Sequence, residues 1–487
     1  MSKVSLTKFS ALVVAGAVCN IACDANEKDE YSKEKSVKQE DSAEKPQIIV
    51  SGAATVHANF GNPDYTYYKG NPEGYEKVDK DTSATRIGAD DANIDVKAVG
   101  KLSNGTKYMA DIDIDVIKGS SGVSKMYLSF SRDGWGTLQI GNVKGPDAKC
   151  MYGGQQLLGG SAGLDGNISG DFDPATGVIS PLYNVAYTNK ATKIVYYSPT
   201  VSGFQIAGAI TPDTKHHGDS ARDRHAGDSS NGNDGGIFNK GKGDERPSGR
   251  NNIALALAHS YEFQNGITTK LSGVYIFEDT KAVKVKSFKK RYDTEGGGNV
   301  EWDDLGEKKI KLHNAHAYYL SATVGYKQWK IGVGFLDNGK SRTPKEAIDE
   351  KIVGEGDGSA TQGVVAGKTE ERYIGNFLGT KNSNAGKAWN IGAEYCLNDN
   401  WTFSGVFHHM KRKVDSGSNT KGSAVTLAAD YKICDGLKVF CEYDHVWTKS
   451  CDTACDRYNR IYKDASDRNA IMKQTSDLFI VGAKVSF

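Results

Sequence analysis

Segments of about ten residues in which apolar and charged side chains alternate recur along the chain. The clearest is Lys107–Val116, where Tyr108, Ala110, Ile112, Ile114 and Val116 alternate with Lys107, Asp111, Asp113 and Asp115. Because successive side chains of a β-strand point to opposite faces, the pattern predicts a strand with one apolar and one charged face. The preceding segment, residues 92–102, repeats it, with Asp95, Lys97 and Lys101 on the polar side. Asn104 and Gly105 predict a tight turn between the two strands.

The same hairpin returns along the chain. Further turns are predicted at residues 131–136, 198–203, 264–266, 326–329, 397–400 and 434–436. With an opening strand at 47–60 and a closing strand at 476–487, about sixteen strands result. The other connections are mostly long, near residues 61–82, 144–191, 212–250, 279–312, 338–386 and 449–475, and are short only near 119–122 and 413–420. Tight turns therefore lie at one end of the sheet and long loops at the other.

This asymmetry favours a transmembrane barrel over a soluble sandwich. A sandwich buries its apolar faces against a second sheet and gives no reason for long loops at one end. In an outer-membrane barrel, short turns face the periplasm and long loops face outside. Even one misplaced Lys or Arg costs about 2–4 kcal/mol at the midplane, so Asp111, Asp113 and Asp115 must face water. The alternation thus predicts an all-β, transmembrane, antiparallel up-and-down β-barrel with an aqueous interior.

The last residues, 477–487, predict how this barrel closes. Phe479, Val481, Ala483, Val485 and Phe487 form one apolar row, and Gly482, Lys484 and Ser486 lie between them. An unpaired strand edge in lipid costs several kcal/mol per backbone group, so the last strand is expected to pair with the first. Five of the six Trp lie near predicted strand ends, where aromatic rings settle at the membrane interface: Trp135, Trp329, Trp389, Trp401 and Trp447.

The N-terminal segment, residues 1–25, predicts a secretory signal peptide: it has two lysines, an apolar run and small residues near its end. A membrane anchor is an alternative, but the run is shorter than the roughly 20 residues that a spanning helix needs. A lipoprotein signal at Cys19 or Cys23 is another. Residues 26–46 are mostly charged and predict a flexible, solvated linker, which leaves residues 47–487 for the barrel.

Charge and cysteine content exclude several classes of function. The net charge of +1 gives no strong field toward nucleic acid or an acidic partner. No segment after the signal approaches the roughly 18 unbroken apolar residues of a spanning helix. Among the later cysteines, only Cys451 and Cys455 are close enough in sequence to suggest a local disulfide, and no second pair stands at zinc-ligand spacing.

Two features suggest other chemistry. Residues 334–341, GFLDNGKS, fit the phosphate-loop pattern, but Pro344 falls within the first turns of the helix that would hold the phosphate. The histidines fall in two groups, His216, His217 and His225 in a loop and the consecutive His408 and His409 on a strand. We interpret them as surface histidines, with metal binding as the alternative. No catalytic arrangement stands out, so neither enzyme activity nor a cofactor is expected.

Four stretches carry a family resemblance: TRIGAD (85–90), MYLSFSRDGWGTLQIGN (126–142), YYSPTVSGFQIAGA (196–209) and VGAKVSF (481–487). They resemble the general diffusion porins of Gram-negative bacteria. The resemblance implies an outer-membrane channel for passive diffusion of small hydrophilic solutes and ions, usually a homotrimer embedded in outer-membrane lipid. It also implies that the third loop folds into the pore opposite basic wall residues, and that the barrel assembly machinery reads Phe487 as a C-terminal signal.

Carried over by position, the resemblance places the third loop within residues 145–180, with Asp165, Asp171 and Asp173 as its acidic face. It gives Arg86 as a basic wall residue, and Lys144 lies nearby in sequence. Together with these, Lys97, Lys101, Asp111, Asp113 and Asp115 make up the predicted pore lining and constriction.

The chain also departs from the family pattern. Asn142 stands where many relatives have Arg, Tyr197 stands where others can have a charge, and the second loop is only GSSG. Arg86 shares strand parity with the outward Ile94 unless a bulge intervenes. Two alternatives stay open: a substrate-specific porin whose loops bind a sugar or anion, and a surface adhesin that uses the barrel to display loops.

Overall fold

The structure is a computed structural model of the 487-residue chain. It describes residues 44–71, 74–81, 84–116, 122–163, 188–214, 249–292, 300–345, 352–354, 368–374, 384–415, 418–449 and 470–487. Several sequence predictions lie outside these residues: the signal peptide, most of the linker, Asp165, Asp171, Asp173, His216, His217, His225, Cys451 and Cys455. Within the described ranges, no helix is long and apolar enough to cross a membrane.

The alternating segments form strands. They are β1 (Glu44–Asn71), β2 (Gly74–Asp81), β3 (Ala84–Lys101), β4 (Lys107–Asp115), β5 (Gly122–Arg132), β6 (Gly136–Asn142), β7 (Thr192–Tyr197), β8 (Phe204–Asp213), β9 (Gly249–Glu262), β10 (Ile267–Thr280), β11 (Val283–Tyr292), β12 (Val300–Ile310), β13 (Ala315–Tyr326), β14 (Trp329–Asp337), β15 (Ile352–Gly354), β16 (Lys368–Ile374), β17 (Lys387–Cys396), β18 (Trp401–Asp415), β19 (Ser418–Cys434), β20 (Leu437–Lys449) and β21 (Ala470–Ser486). A short helix, α1 (Pro146–Lys149), and a 3-10 helix (Gly154–Leu157) lie between β6 and β7.

Sixteen antiparallel strands close into a barrel. β2 extends the sheet as a hairpin with β1, and β11, β12, β15 and β16 form a separate four-stranded sheet in the long connections. β1 pairs with β3 on one side and with β21 on the other. The Phe487 N–H donates to the Gly52 carbonyl at 3.0 Å, and the Gly52 N–H donates to the Phe487 carbonyl at 2.9 Å. The predicted closed barrel is confirmed.

The outer face of the barrel carries the apolar rows. On β21, Phe479, Val481 and Val485 are 39–47% exposed, while Leu478 and Ile480 on the other face of the strand are buried inside. On β4, Asp111 and Asp113 are 1% and 7% exposed on the inner face. Apolar side chains thus face lipid on every side, as a spanning strand requires.

A bulge in β3 changes the face that Arg86 occupies. Ala53 pairs with Asn93 but Thr55 pairs with Asp90, so β3 has one residue more than β1 between these pairs. Beyond the bulge, Ile87 is 84% exposed on the outside. Because cross-strand partners share a face, the pairing of position 86 with Asn59, which is buried, puts this position on the inner face. Its backbone alone is described.

Exposed tryptophans lie toward both ends of the barrel. Trp135 lies in a tight turn, and Trp329 and Trp401 begin β14 and β18 at the same end. Trp389 and Trp447 lie near the opposite ends of β17 and β20. The Trp329 ring contacts Tyr395 with 4.4 Å between centroids. The positions match two interfacial belts.

The long connection after β10 is tied to the one after β14. Leu312 forms a β-bridge with Pro344, and the Arg342 guanidinium donates to both oxygens of the buried Glu278 carboxylate at 2.7 and 2.8 Å.

The GFLDNGKS motif runs along β14 into a turn, in which the Gly339 N–H donates to the Asp337 side chain at 2.8 Å. Residues 338–345 contain no helix. The motif therefore lacks the helix that a phosphate site requires.

Candidate functional site

The loop between β6 and β7, residues 143–191 (loop 3), enters the barrel. Its described residues are 143–163 and 188–191. Its two ends are joined because the buried Asp147 carboxylate accepts bonds from the Thr188 N–H and hydroxyl, both at 3.0 Å. Thr192 donates to the Asn142 side chain at 2.6 Å. Asn142 thus closes the base of the loop.

The first part of loop 3 packs on an apolar section of the inner wall. Val143, Cys150, Met151 and Tyr152 form one buried cluster with side chains of β7 to β10, β13 and neighbouring strands. Nearly half of the wall residues in this cluster are alanines: Ala207, Ala209, Ala254, Ala256, Ala258, Ala315 and Ala388. Small inward side chains leave the space that the loop occupies.

Beyond Tyr152, loop 3 crosses the barrel and its main-chain N–H groups donate to side chains of successive strands. Tyr152 donates to Ser321 of β13 at 2.9 Å, Gln155 to Asn390 of β17 at 3.3 Å, Gly159 to Ser404 of β18 at 2.8 Å, and Gly160 to Asp430 of β19 at 3.0 Å. Each bond supplies an acceptor for a loop N–H that would otherwise be buried without one. The polar wall residues therefore act as a ladder of acceptors that fixes the path of the loop.

The Glu442 carboxylate on β20 is the last acceptor of this ladder. Its two oxygens accept from the Ser161 N–H at 2.6 Å, the Ser161 hydroxyl at 2.9 Å and the Gly163 N–H at 3.2 Å. Glu442 is 1% exposed. Glu442 thus accepts three hydrogen bonds from loop 3, more than any other acceptor of this ladder.

Between the acceptors Ser321 and Asn390, the backbone of loop 3 packs directly against the backbone of the wall strands. A Cβ on Gly392 of β17 would lie 2.5 Å from the Gly154 carbonyl oxygen, and one on Gly332 of β14 would lie 3.0 Å from the Gly153 carbonyl. Neither position has room for a side chain while loop 3 keeps its place. We call Gly332, Gly392, Gly153 and Gly154 the glycine seam.

The opposite section of wall, β3 to β5, carries charged side chains. Lys125 lies 3.2 Å from Asp111 and 3.5 Å from Asp95, and Lys97 lies 3.1 Å from Asp95. Lys190, on the returning end of loop 3, lies 3.3 Å from Asp113. Acidic and basic groups therefore alternate here within ion-pair distance.

Lys190 lies outside the spanning strands, and its ammonium donates to Ser124 at 2.9 Å. Burial lowers the pKa of Lys190 from its usual value, the Asp113 carboxylate opposes this shift, and nearby Lys144 adds to it. A buried ammonium loses its proton more readily because desolvation disfavours the charged form.

The structure brings some predicted site residues together and leaves others apart. Lys97, Asp111 and Asp113 lie in the alternating ion pairs, with Lys101 and Asp115 farther along the inner faces of β3 and β4. Lys144 is exposed at the start of loop 3, and Tyr197 is buried beneath the loop.

The wall acceptors and the glycine seam were missed as functional residues by the sequence analysis, as were Lys125 and Lys190. The available signal was small inward residues on neighbouring strands together with the glycine pairs of loop 3. His408 is buried and faces inward, bonded to Gln155, so its interpretation as a surface histidine is wrong, whereas His409 faces outward with Ser423. In the part of the chain that the structure describes, no group of three or more metal-ligating side chains is gathered.

A barrel that spans the membrane and is narrowed by an internal loop defines a porin-type channel. The family described as Gram-negative porin matches residues 48–450, and the chain belongs to that family. It is an outer-membrane porin, as the sequence predicted.

Other comparisons give more distant likenesses. An uncharacterized protein of Rickettsia felis is 25% identical over 248 residues, which are 45% of this chain and 54% of that protein. The chain thus spans about half the length of this curated relative. Among solved structures, the trimer form of OmpT from Vibrio cholerae has a TM-score of 0.47 at 12% identity, covering 91% of this chain and all of that one. The anion-selective porin of Comamonas acidovorans has a TM-score of 0.47 at 10% identity, with the same coverage. The chain is assigned to the porin family by the family match and not by these likenesses.

Proposed function

We propose that small hydrophilic solutes and ions diffuse through this porin between loop 3 and the charged wall of β3 to β5. One observation carries this proposal: the described part of loop 3 is bonded across the inner faces of β13 to β20. The loop therefore occupies that side of the lumen. The opposite side carries Lys97, Lys125 and Lys190, whose side chains keep 12–26% exposure.

The pairing of these charges supports a weakly selective channel. Asp95, Asp111 and Asp113 are each matched by a lysine within ion-pair distance, so little net field arises from this section of the wall. Arg86, Lys101, Asp115 and Lys144 are proposed to line the rest of the solute path, and the acidic residues Asp165, Asp171 and Asp173 to narrow it.

The proposal excludes enzymatic turnover and requires no cofactor. Its test is single-channel conductance of the purified protein in planar lipid bilayers, with the reversal potential measured in a salt gradient. We expect an ohmic conductance that no single solute blocks and a reversal potential near zero. Saturable block by a sugar or anion would indicate a substrate-specific porin. Bilayers that stay electrically silent would contradict the channel and favour an adhesin.

The homotrimer and the assembly signal are also proposals. Phe487 is 72% exposed at the end of the sealing strand, which leaves its ring accessible to the assembly machinery before closure. We expect Phe487→Ser to lower the amount of folded protein in the outer membrane, with Val485→Ser as the matched control.

The number of chains in the proposed homotrimer is measured by native mass spectrometry in detergent, and a purely monomeric species would contradict the trimer.

A further inference from the structure

The outer face of the barrel carries a groove across β8, β9, β10, β13 and β14. Its volume is about 470 Å³. Two neighbouring cross-strand rows form its walls. One row contains Leu257, Gly273, Leu320 and Phe335, and the other contains Phe204, His259, Leu271, Ala322 and Val333. The backbone of the inward-facing residues between the rows forms the floor.

The groove exists because two of its wall positions are small. Gly273 pairs with Leu257 on one side and Leu320 on the other, and Ala322 pairs with Leu271 and Val333. A Cβ placed on Gly273 would have Leu320 Cδ2 as its nearest contact, at 3.4 Å. A longer side chain at this position would therefore extend into open groove space.

The groove begins at the end of the barrel that carries the tight turns and reaches past the middle of β14. Phe204 is the first residue of β8 after a turn, and Val333 is four residues from the turn that precedes β14. Short turns of outer-membrane barrels face the periplasm, so most of the groove lies at the depth of the periplasmic leaflet. Five strands spaced about 4.8 Å apart give it a length of about 19 Å. Its volume is within the roughly 300–1,000 Å³ of pockets that bind small organic ligands.

We propose that this groove binds one acyl chain of a phospholipid from the periplasmic leaflet. The groove is continuous with the lipid-facing belt, and the outward side chains that line it are apolar apart from His259, whose ring packs on Phe204 with 4.3 Å between centroids. Hydrocarbon is the medium around this face, so no water competes for the space. A chain between two walls makes dispersion contacts on three sides, whereas a chain on a convex belt makes them on one. The groove therefore retains its lipid longer than the rest of the belt does.

The test uses vesicles of phosphatidylethanolamine in which a fraction of the lipid carries a photoactivatable diazirine on its acyl chain. The porin is reconstituted and illuminated, and the labelled peptides are quantified by mass spectrometry. We expect labelling of β9, β10 and β13 to exceed labelling of outward positions on β19 and β21 severalfold. Gly273→Leu fills the groove and is expected to remove that excess.

Gly208→Leu is the matched control, because Gly208 also faces outward, lies outside the groove and has only ordinary contacts around an added Cβ. Ala322→Leu fills the groove at a second point and is expected to repeat the loss if Gly273→Leu folds poorly. Channel conductance of each variant checks that the lumen is intact. Labelling equal to that of the rest of the belt, and unchanged in both filled variants, would overturn the proposal. Cross-links between two chains at the groove, or retention of lipopolysaccharide there instead of phospholipid, would overturn it too.

Discussion

The inner surface of the barrel has two sections that differ in what they contact. From β7 to β20, many inward residues are small or act as hydrogen-bond acceptors, and the backbone of loop 3 covers several of them. From β3 to β5, they include aspartates and lysines in alternating ion pairs. Both sections present the same apolar row to lipid. The outward residues are therefore set by contact with lipid. The inward residues are set by what they contact inside the barrel, which is loop 3 in one section and oppositely charged side chains in the other.

The difference shows how the barrel narrows its lumen without filling it. Alanine and glycine leave room for a loop, and asparagine, serine, aspartate and glutamate acceptors satisfy the loop backbone. Aspartates and lysines in ion pairs line the section of β3 to β5. The variants below test each section in turn, from the largest expected effect to the smallest.

The glycine seam is the most sensitive point of the covered section. Gly392→Val would place a side chain where the Gly154 carbonyl now lies, so loop 3 must move or the strand must distort. Overpacking of this kind costs about 1–3 kcal/mol. We expect a lower unfolding temperature and a conductance different from that of the parent. Gly208→Val, on the outer face, should change neither; a parental conductance in Gly392→Val would mean that the seam does not position the loop.

The Glu442 attachment is expected to give the next largest effect. Glu442→Gln keeps the side-chain shape but replaces one acceptor oxygen with an NH2 group, so a loop donor on Ser161 or Gly163 loses its acceptor. A buried donor left without an acceptor costs about 1–3 kcal/mol, so this part of loop 3 should loosen. The measurement is the rate of thiol labelling of Ser161→Cys with and without the change, together with conductance noise. Glu394→Gln, whose carboxylate pairs with Lys330 rather than with the loop, is the control.

The charged section is tested by Lys125→Gln. The change removes the cation between Asp95 and Asp111 and leaves two carboxylates without it. We expect the reversal potential in a salt gradient to shift toward cation selectivity, by a factor of a few in relative permeability. The shift should shrink at high salt because mobile ions screen the charges. Lys330→Gln is the control for loss of one lysine; an equal shift there would show that Lys125 has no special position.

The smallest expected effect is a pH dependence at Lys190. Because its pKa is lowered by burial, Lys190 should lose its proton at a lower pH than exposed lysines do as the solution becomes alkaline. Asp113 then loses its cationic partner, so selectivity should shift toward cations below the usual lysine pKa of 10.5. In that window the unfolded chain binds more protons than the folded one, so this group makes stability rise with pH. Reversal potentials against pH should show the step in the parent and not in Lys190→Gln.

Several features of this chain were accessible from the alternation of side chains alone. The strand number, the tight turns, the outward rows and the pairing of the last strand with the first follow from period two and from the cost of unpaired backbone in lipid. Alternation gave no reason for apolar residues on the inner face, yet Leu478 and Ile480 face inward and are buried. The environment of these two residues depends on which other segments lie inside the barrel, and the sequence pattern of a single strand carries no information on those contacts.

Arg86 is a second case in which the pattern of a single strand was not sufficient. Its sequence parity with Ile94 predicts an outward position, and only the bulge near residues 90–93 places it on the inner face. The ladder of loop-3 acceptors likewise joins residues far apart in sequence, such as Ser161 and Glu442. The sequence by itself determined which face of each regular strand meets lipid, because that choice repeats every two residues. The tertiary structure alone decided which inward residues meet loop 3, since that depends on register shifts and on the path of a loop across six strands.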